Sequence, residues 1–226
     1  MLGAINILNM RALLIIDMSK DFVLKEYNER LALDRAKRLI PRIRALQEAF
    51  LKRGYPVIFV TDKHLETDYE VAKWGRHSMK DSEGSEIVDG LIKEGRYILE
   101  RDWDEGDIEG VKEGQLLFEV EKGAYSGFTD NGGKPTALDA LLRRLGLKPG
   151  DRLYLTGLHT NCCVKHTAAD AWFRGYKVVI VRDCVDSFDN IEGRLGMGHG
   201  EALKYEAFWY DAEVVDSEDV IRELGG

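Results

Sequence analysis

The sequence predicts an α/β fold: a doubly wound, mainly parallel sheet with helices on both faces. Three observations lead there. Seven short runs rich in β-branched residues recur along the chain and are mostly apolar without alternation, as strands covered on both sides are. Between many of them lie longer stretches with apolar residues three and four apart, the spacing of an amphipathic helix. Strand, helix and strand repeated in one chain points to parallel strands joined by crossovers.

The first strand is ALLIID (12 to 17), and NERLALDRAKRLIPRIRALQEAFLKRG (28 to 54) follows as a helix that ends at Gly54, with a kink expected at Pro41. PVIFVTD (56 to 62), RYILE (96 to 100) and LLFEVEK (116 to 122) read as the next three strands. TALDALLRRLGL then reads as a helix, RLYLTGL (152 to 158) as a strand, and CVKHTAADAWFRG as a helix closed by Gly175. KVVIVRD (177 to 183), the helix EALKYEAFWY, the strand AEVVD (212 to 216) and the helix SEDVIREL complete the chain. GRLGMGHG (193 to 200) follows no predicted strand, so it reads as a flexible loop and not as a phosphate cradle.

The chain has 226 residues and no Pro/Ser-rich linker or break in composition, which predicts one domain over 1 to 226. Met10 directly precedes RALLIID, so the first residues, 1 to 9, read as an N-terminal extension. A net charge of -8 argues against a nucleic-acid surface, which needs a clustered positive field. MLGAINILNM lacks a basic leader and a small-residue cleavage site, and no apolar run approaches the ~18 residues of a membrane span, so a cytoplasmic location is expected. Three cysteines make no disulfide framework and read as reduced thiols. Only two glutamines stand among abundant Lys, Arg, Glu and Asp, a balance that fits a heat-adapted protein.

In doubly wound sheets ligands bind beyond the carboxyl ends of the strands. The residues that close the predicted strands are Asp17, Asp62, Lys122, the turn 157 to 163 and Asp183. If the helix after RLYLTGL begins near Asn161, Cys162 and Cys163 lie in its first turn, where unpaired N–H groups favour a thiolate and a nearby cation lowers its pKa further. The same N–H groups suit an oxyanion. Neighbours on a helix point about 100° apart, so only one of the two sulfurs faces a given site. An aspartate or lysine at a strand end is, taken singly, more often solvated surface; here a base, a cation and a nucleophile converge, a trio suited to acyl transfer. Cys184 reads as a small buried hydrophobe, and His166 as a helix-surface histidine.

TDKHLETDYEVAKWGRH (61 to 77) brings Asp62, His64 and His77 together in one loop, beside Trp74. One carboxylate and two imidazoles accept zinc, iron or manganese and leave positions open for water or substrate. A solvated loop with incidental histidines is the competing reading.

Four separated motifs, LLIIDMSKDF, the DKH and WGRH loop, EKGAYSGF and TGLHTNCCVKHTAADAWFRGYKVVIVRDCV, resemble those of the isochorismatase-like cysteine hydrolases, and among them nicotinamidases and related amidases. The resemblance runs from about Arg11 to the C-terminus. It implies a catalytic triad of Asp17, Lys122 and Cys163, with the second cysteine as nucleophile because the family pattern sets it two residues after the threonine's neighbour and before a valine. It further implies a cis peptide between Leu158 and His159 that aims N–H groups of the 158 to 163 turn at an oxyanion, a divalent metal, best guessed as zinc, on Asp62, His64 and His77, and Phe22 and Trp74 against the substrate ring. Nicotinamide is the implied substrate, with homodimers or homotetramers as the assembly. Ser19 and Lys20 stand where nicotinamidases commonly show Q-N, and Ser78, Asp81 and Ser82 where they show a cysteine and a G-T pair. A ureido or carbamoyl amide hydrolase and an isochorismatase-type hydrolase remain alternatives within the class. A catalytically silent relative that binds a metabolite remains one outside it.

Overall fold

The computed structural model describes residues 10 to 191 and 194 to 225. The extension expected over residues 1 to 9 lies outside them. Seven strands form one sheet: β1 (Arg11–Ile16), β2 (Val57–Asp62), β3 (Tyr97–Leu99), β4 (Leu117–Lys122), β5 (Arg152–Leu158), β6 (Lys177–Asp186) and, after a two-stranded hairpin of β7 (Asn190–Ile191) and β8 (Arg194–Leu195), β9 (Glu213–Val215). Their order is β3-β4-β2-β1-β5-β6-β9, and every neighbouring pair is parallel. The chain moves from β1 to β2, on to the edge strand β3 and back to β4 between them, then crosses to the other side of β1 with β5. The direction of winding therefore reverses between β1 and β5, where an open sheet forms a crevice at its carboxyl edge.

The helices are α1 (Lys20–Val23), α2 (Ile40–Lys52), α3 (Tyr69–Trp74), α4 (Glu105–Glu109), α5 (Leu138–Arg144), α6 (Lys165–Phe173), α7 (His199–Trp209) and α8 (Ser217–Glu223). Alternation along β1 sorts them onto two faces. Ala12, Leu14 and Ile16 join a core with Leu138 and Leu141 of α5 and Ala168 and Ala171 of α6. Leu13 and Ile15 join the opposite core with Ile43, Leu46 and Phe50 of α2 and Val220 of α8. With both faces covered, β1 needs apolar residues at every position, which is why ALLII shows no alternation. Among the described residues no helix is long and apolar enough to cross a membrane.

The long helix expected from 28 to 54 is shorter. The Asn28 side chain accepts hydrogen bonds from the N–H groups of Arg30 (3.2 Å) and Leu31 (3.0 Å), which turns the chain there. A 3-10 helix follows over Asp34–Leu39, and Pro41 lies in the first turn of α2. A proline's missing N–H costs nothing in that turn, so Pro41 begins a helix and does not kink one. The loop expected over 193 to 200 begins outside the described residues, and its remainder supplies β8 and, from His199, the start of α7.

On α7, Glu206 is fully buried, and neither carboxylate oxygen has a hydrogen-bond partner among the described residues. Burial pushes its pKa up to about 8, against the weaker pull of Lys165. A raised carboxyl pKa contributes stability that is complete below the unfolded value and is lost as pH rises through the folded one. Glu206→Gln is therefore expected to melt higher than the wild type at pH 8.5, by roughly 5 °C, with the difference shrinking towards pH 4.5. Equal offsets at both ends of a calorimetric pH series would contradict a neutral, buried Glu206.

Candidate active site

Four adjacent strands deliver the chemistry to the carboxyl edge. Asp17 follows β1 directly, with its N–H donating to Val60 O (2.9 Å) and its backbone in the left-handed region at φ 49°. Gly157 of β5 is the register partner of Ile16, and a Cβ built on it would lie 2.0 Å from the Ile16 carbonyl oxygen. Its φ of 99° is also one that side-chain-bearing residues rarely adopt. Only glycine lets the ends of β1 and β5 approach this closely. Asp62 and Lys122 are register partners at the ends of β2 and β4.

These placements bring three fully buried charges together. Lys122 Nζ donates to Asp17 Oδ2 at 2.9 Å and to Asp62 Oδ1 at 2.5 Å, while Asp17 Oδ1 accepts the Asp62 N–H at 3.0 Å. Burial opposes the ammonium, yet Asp17 and Asp62 together hold the Lys122 pKa well above its usual value. Burial first, and then the charge of Asp62, push Asp17 up to about 6. Asp62 itself stays well below the usual carboxylate range, because Lys122 and His64 outweigh its burial. Of the two acids, Asp17 is the one able to exchange a proton near neutrality.

The Leu158–His159 peptide is cis, and Thr160–Val164 form one π-helical turn before α6. The His159 carbonyl accepts the N–H groups of Cys162 (2.9 Å) and Val164 (3.1 Å), and the Cys162 carbonyl faces His166 Nδ1 at 2.7 Å. Both cysteines line the cleft described below, but they differ in company. Cys163 is buried, and its Sγ and carboxylate oxygens of Asp17 and Asp62 all lie within 4.8 Å of one another. Cys162 is half-buried and belongs to no such group. The expectation of a charged Cys163 sulfur at rest is not met: the neighbouring Cys162 sulfur and burial push the Cys163 thiol well above its usual value, despite Lys122. A thiolate there would add a second uncompensated negative charge to a buried cluster that already has two carboxylates and one ammonium. The proton stays on sulfur until a base removes it, and Asp17 is the adjacent one. Cys184 is buried in the opposite core, as expected of a small hydrophobe.

The loop after β2 assembles a second group. Asp62, His64, His77 and Glu70 each offer a ligand atom, all within 4.8 Å of one another. His64 Nδ1 pairs with Asp68 Oδ2 (3.0 Å) and His77 Nδ1 with the Gly75 carbonyl (2.7 Å), so each ring turns its Nε2 towards the cluster, where His64 Nε2 lies 3.4 Å from Asp62 Oδ2. Asp62 Oδ2, His64 Nε2 and Glu70 Oε1 are buried without hydrogen-bond partners among the described residues. Unpartnered lone pairs from two oxygens and a nitrogen, with oriented imidazoles, fit a divalent cation of the zinc type. Arg101 holds the outer carboxylate, donating to Asp68 Oδ2 at 2.7 Å.

A cleft of about 460 Å³, counting its open mouth, lies over Cys163. Its apolar wall comprises Phe22, Leu31, Trp74, Tyr125 and Phe188, and among the described residues no lysine or arginine lines it. Phe22 stands edge-on to His77 (5.6 Å) and His159 (5.7 Å), and Trp74 Nε1 donates to the Tyr125 hydroxyl at 2.9 Å. The sequence reading named Phe22 and Trp74 but missed Glu70, Leu31, Tyr125, Asn161 and Phe188. Glu70 shares its loop with Glu66 and Asp68, and only α3, which turns it inward, distinguishes it. Two of the departures noted in the sequence meet each other: the Ser19 and Ser78 hydroxyls are 3.3 Å apart.

The sequence matches the family description "Isochorismatase domain" over residues 11–104 and 108–215. Among solved structures it is similar to N-carbamoylsarcosine amidase from Thermoplasma acidophilum, at 32% identity over 92% of this chain and 97% of that one, with a TM-score of 0.71. It is similar to the nicotinamidase PncA from Bacillus subtilis, at 29% identity over 91% and 99% of the two chains, with a TM-score of 0.68. A pyrazinamidase of Pyrococcus horikoshii in complex with zinc shares 25% identity over 91% and 98%, with a TM-score of 0.66.

Glu70 makes the donor set testable without an activity assay. In titrations of metal-stripped protein with zinc, Glu70→Gln is expected to weaken binding about tenfold or more, since a charged ligand is replaced by a neutral one. Wild-type affinity in that variant would remove Glu70 from the set.

Proposed function

As the chain belongs to the isochorismatase domain family, we propose that it is a cysteine-dependent amidohydrolase whose substrate is nicotinamide, cleaved to nicotinate and ammonia. The observation that carries the choice of substrate is the wall of the cleft. Phe22, Leu31, Trp74, Tyr125 and Phe188 suit a flat, uncharged ring, and among the described residues no lysine or arginine lines the cleft to pair with a carboxylate. A carbamoyl amino acid would bring a carboxylate to this wall with no arginine or lysine among the described residues to pair with it. The carbamoyl-amide reading is therefore second, although one similar structure is an amidase of that kind.

In the proposed reaction Asp17 takes the Cys163 proton as the sulfur attacks the amide carbonyl. Main-chain N–H groups of the 158 to 163 turn hold the oxyanion. Asp17 returns the proton to the departing nitrogen, ammonia leaves, and a thioester remains on Cys163. Asp17 then accepts a proton from water as that water attacks the thioester, the C–S bond breaks, Asp17 passes its proton to the departing Cys163 sulfur, and the acid leaves as nicotinate with its own proton lost to solvent. Lys122 keeps the Asp17 carboxylate oriented and offsets its charge throughout. Asp62, His64, Glu70 and His77 would hold a divalent metal, zinc being the best match, which when bound supplies a Lewis acid beside the ring. Asp62 serves both groups, with Oδ1 on Lys122 and Oδ2 in the donor set.

The protein is also proposed to work as a homodimer or homotetramer. Trp172, Phe173, Phe208 and Trp209, at the ends of α6 and α7, are all more than a third exposed, an aromatic patch that a second copy would cover. Light scattering on the wild type should give a multiple of the 25.6 kDa chain mass, and Phe208→Glu with Trp209→Glu should return it towards the monomer. A monomeric wild type would contradict the assembly.

An ammonia-release screen over nicotinamide, pyrazinamide, N-carbamoyl amino acids and ureido acids tests the substrate. Nicotinamide or pyrazinamide should lead by kcat/KM. Cys163→Ala should lose about a thousandfold or more, whereas Cys162→Ser keeps much of the rate. Preference for the carboxylated amides would overturn the argument from the cleft wall.

A further inference from the structure

Phe188 does not belong to the main sheet. It lies two residues beyond β6, in the segment that carries the β7–β8 hairpin and returns to α7. Its ring stacks on His159, with centroids 5.0 Å apart and planes 26° from parallel, and both residues line the cleft. The stacking alone is worth only about 1 kcal/mol, too little to hold a segment of this length in one place.

What holds it is Asn161, in the π-helical turn that carries Cys163. Asn161 Nδ2 donates to the Phe188 carbonyl at 3.0 Å and to the Met197 carbonyl at 2.5 Å, so one amide group ties both ends of the segment. Asn161 Oδ1 accepts from the Ser187 hydroxyl. Both ends of this side chain are thus directed at residues 187 to 197. The stem is fixed from behind, where Asp186 accepts from Arg35 (3.1 Å) and Arg38 (2.8 Å) and Arg35 also donates to the Ser187 carbonyl. Thr160, next to Asn161, pairs with His199 Nδ1 at 2.9 Å, on the far side of the hairpin.

We propose that Asn161 is a positioning residue for substrate specificity: by binding the Phe188 and Met197 carbonyls together it fixes the aromatic wall of the cleft relative to Cys163. The proposal rests on the amidohydrolase reading for its kinetic consequence, but not for its structural one. Asn161 acts on substrate binding through Phe188. Bond making stays with Asp17 and Lys122, which strand ends position, and with Cys163, whose turn is held by main-chain hydrogen bonds from Cys162 and Val164 to the His159 carbonyl and not by the Asn161 side chain. Two donors on one atom are required, so a carboxylate, with the same shape but no donor, cannot replace the amide.

The test compares the wild type, Asn161→Asp, Asn161→Ala, Phe188→Ala and the double variant Asn161→Asp with Phe188→Ala. In hydrogen exchange the amides around Phe188 and Met197 should exchange about tenfold faster in both Asn161 variants, while those of β1, β2 and β4 keep wild-type protection. With nicotinamide, both Asn161 variants should raise KM about tenfold and lower kcat far less. The double variant should have the KM of Phe188→Ala alone, since the clamp has nothing left to position. Unchanged exchange around Phe188, a fall in kcat at constant KM, or a KM increase in the double variant equal to the product of the single effects would each overturn the proposal. If the wild type releases no ammonia from any amide, the amidohydrolase reading fails, and the exchange result alone decides the clamp.

Discussion

Two carboxylates and one ammonium, all out of reach of water, sit where β1, β2 and β4 end, and the arrangement is stable only as a set. Lys122 without Asp17 and Asp62 would be a bare buried cation, and either acid without Lys122 a bare buried anion; removing one partner of such a cluster costs on the order of 3 to 5 kcal/mol. The sheet makes the set possible. Asp62 and Lys122 face each other because β2 and β4 are parallel and in register, and Asp17 joins them because β1 is the next strand across. The sum of charge bears on the proposed reaction: one negative charge in excess raises both Asp17 and the Cys163 thiol, as that reaction needs of its base and of a sulfur that keeps its proton until substrate arrives.

The parts of this site that lie on strand ends were legible in the sequence, because a doubly wound sheet places all its carboxyl ends along one edge. Asp17, Asp62, Lys122 and the turn at Cys163 are each the last residues of an apolar run, and the runs themselves were unambiguous because both faces of the sheet are covered. The charge state of Cys163 was not legible. A helix start and a lysine argue for a thiolate when considered alone, and only the distances show two carboxylates already competing for that lysine. Nor was the segment before α2 legible: apolar spacing in LALDRAKRL suits a helix, but the Asn28 side chain turns the chain first, and Leu31, Ala32 and Leu33 are buried as irregular backbone.

The wall of the cleft was hidden for a different reason. Tyr125, Asn161 and Phe188 come from three separate connections, and although two of them lie in distinctive motifs, nothing in their spacing shows that the three side chains face one cleft. Glu70 was indistinguishable from Glu66 and Asp68 until the one turn of α3 selected it. Asp62 links the two halves of the site: one oxygen belongs to the lysine cluster and the other to the donor set, so occupancy of the latter and the charge balance of the former are coupled through a single carboxylate.

Gly157 separates what the fold constrains here from what it leaves free. The residues that would recognise a substrate sit on connections that tolerate exchange of one ring or aliphatic chain for another. The spacing between the proposed nucleophile and base, by contrast, depends on an absent methyl group where two central strands lie closest. A lineage drifting towards new amides would retain that vacancy and redecorate everything around it, so a designer seeking altered selectivity should leave the sheet alone and diversify the connections.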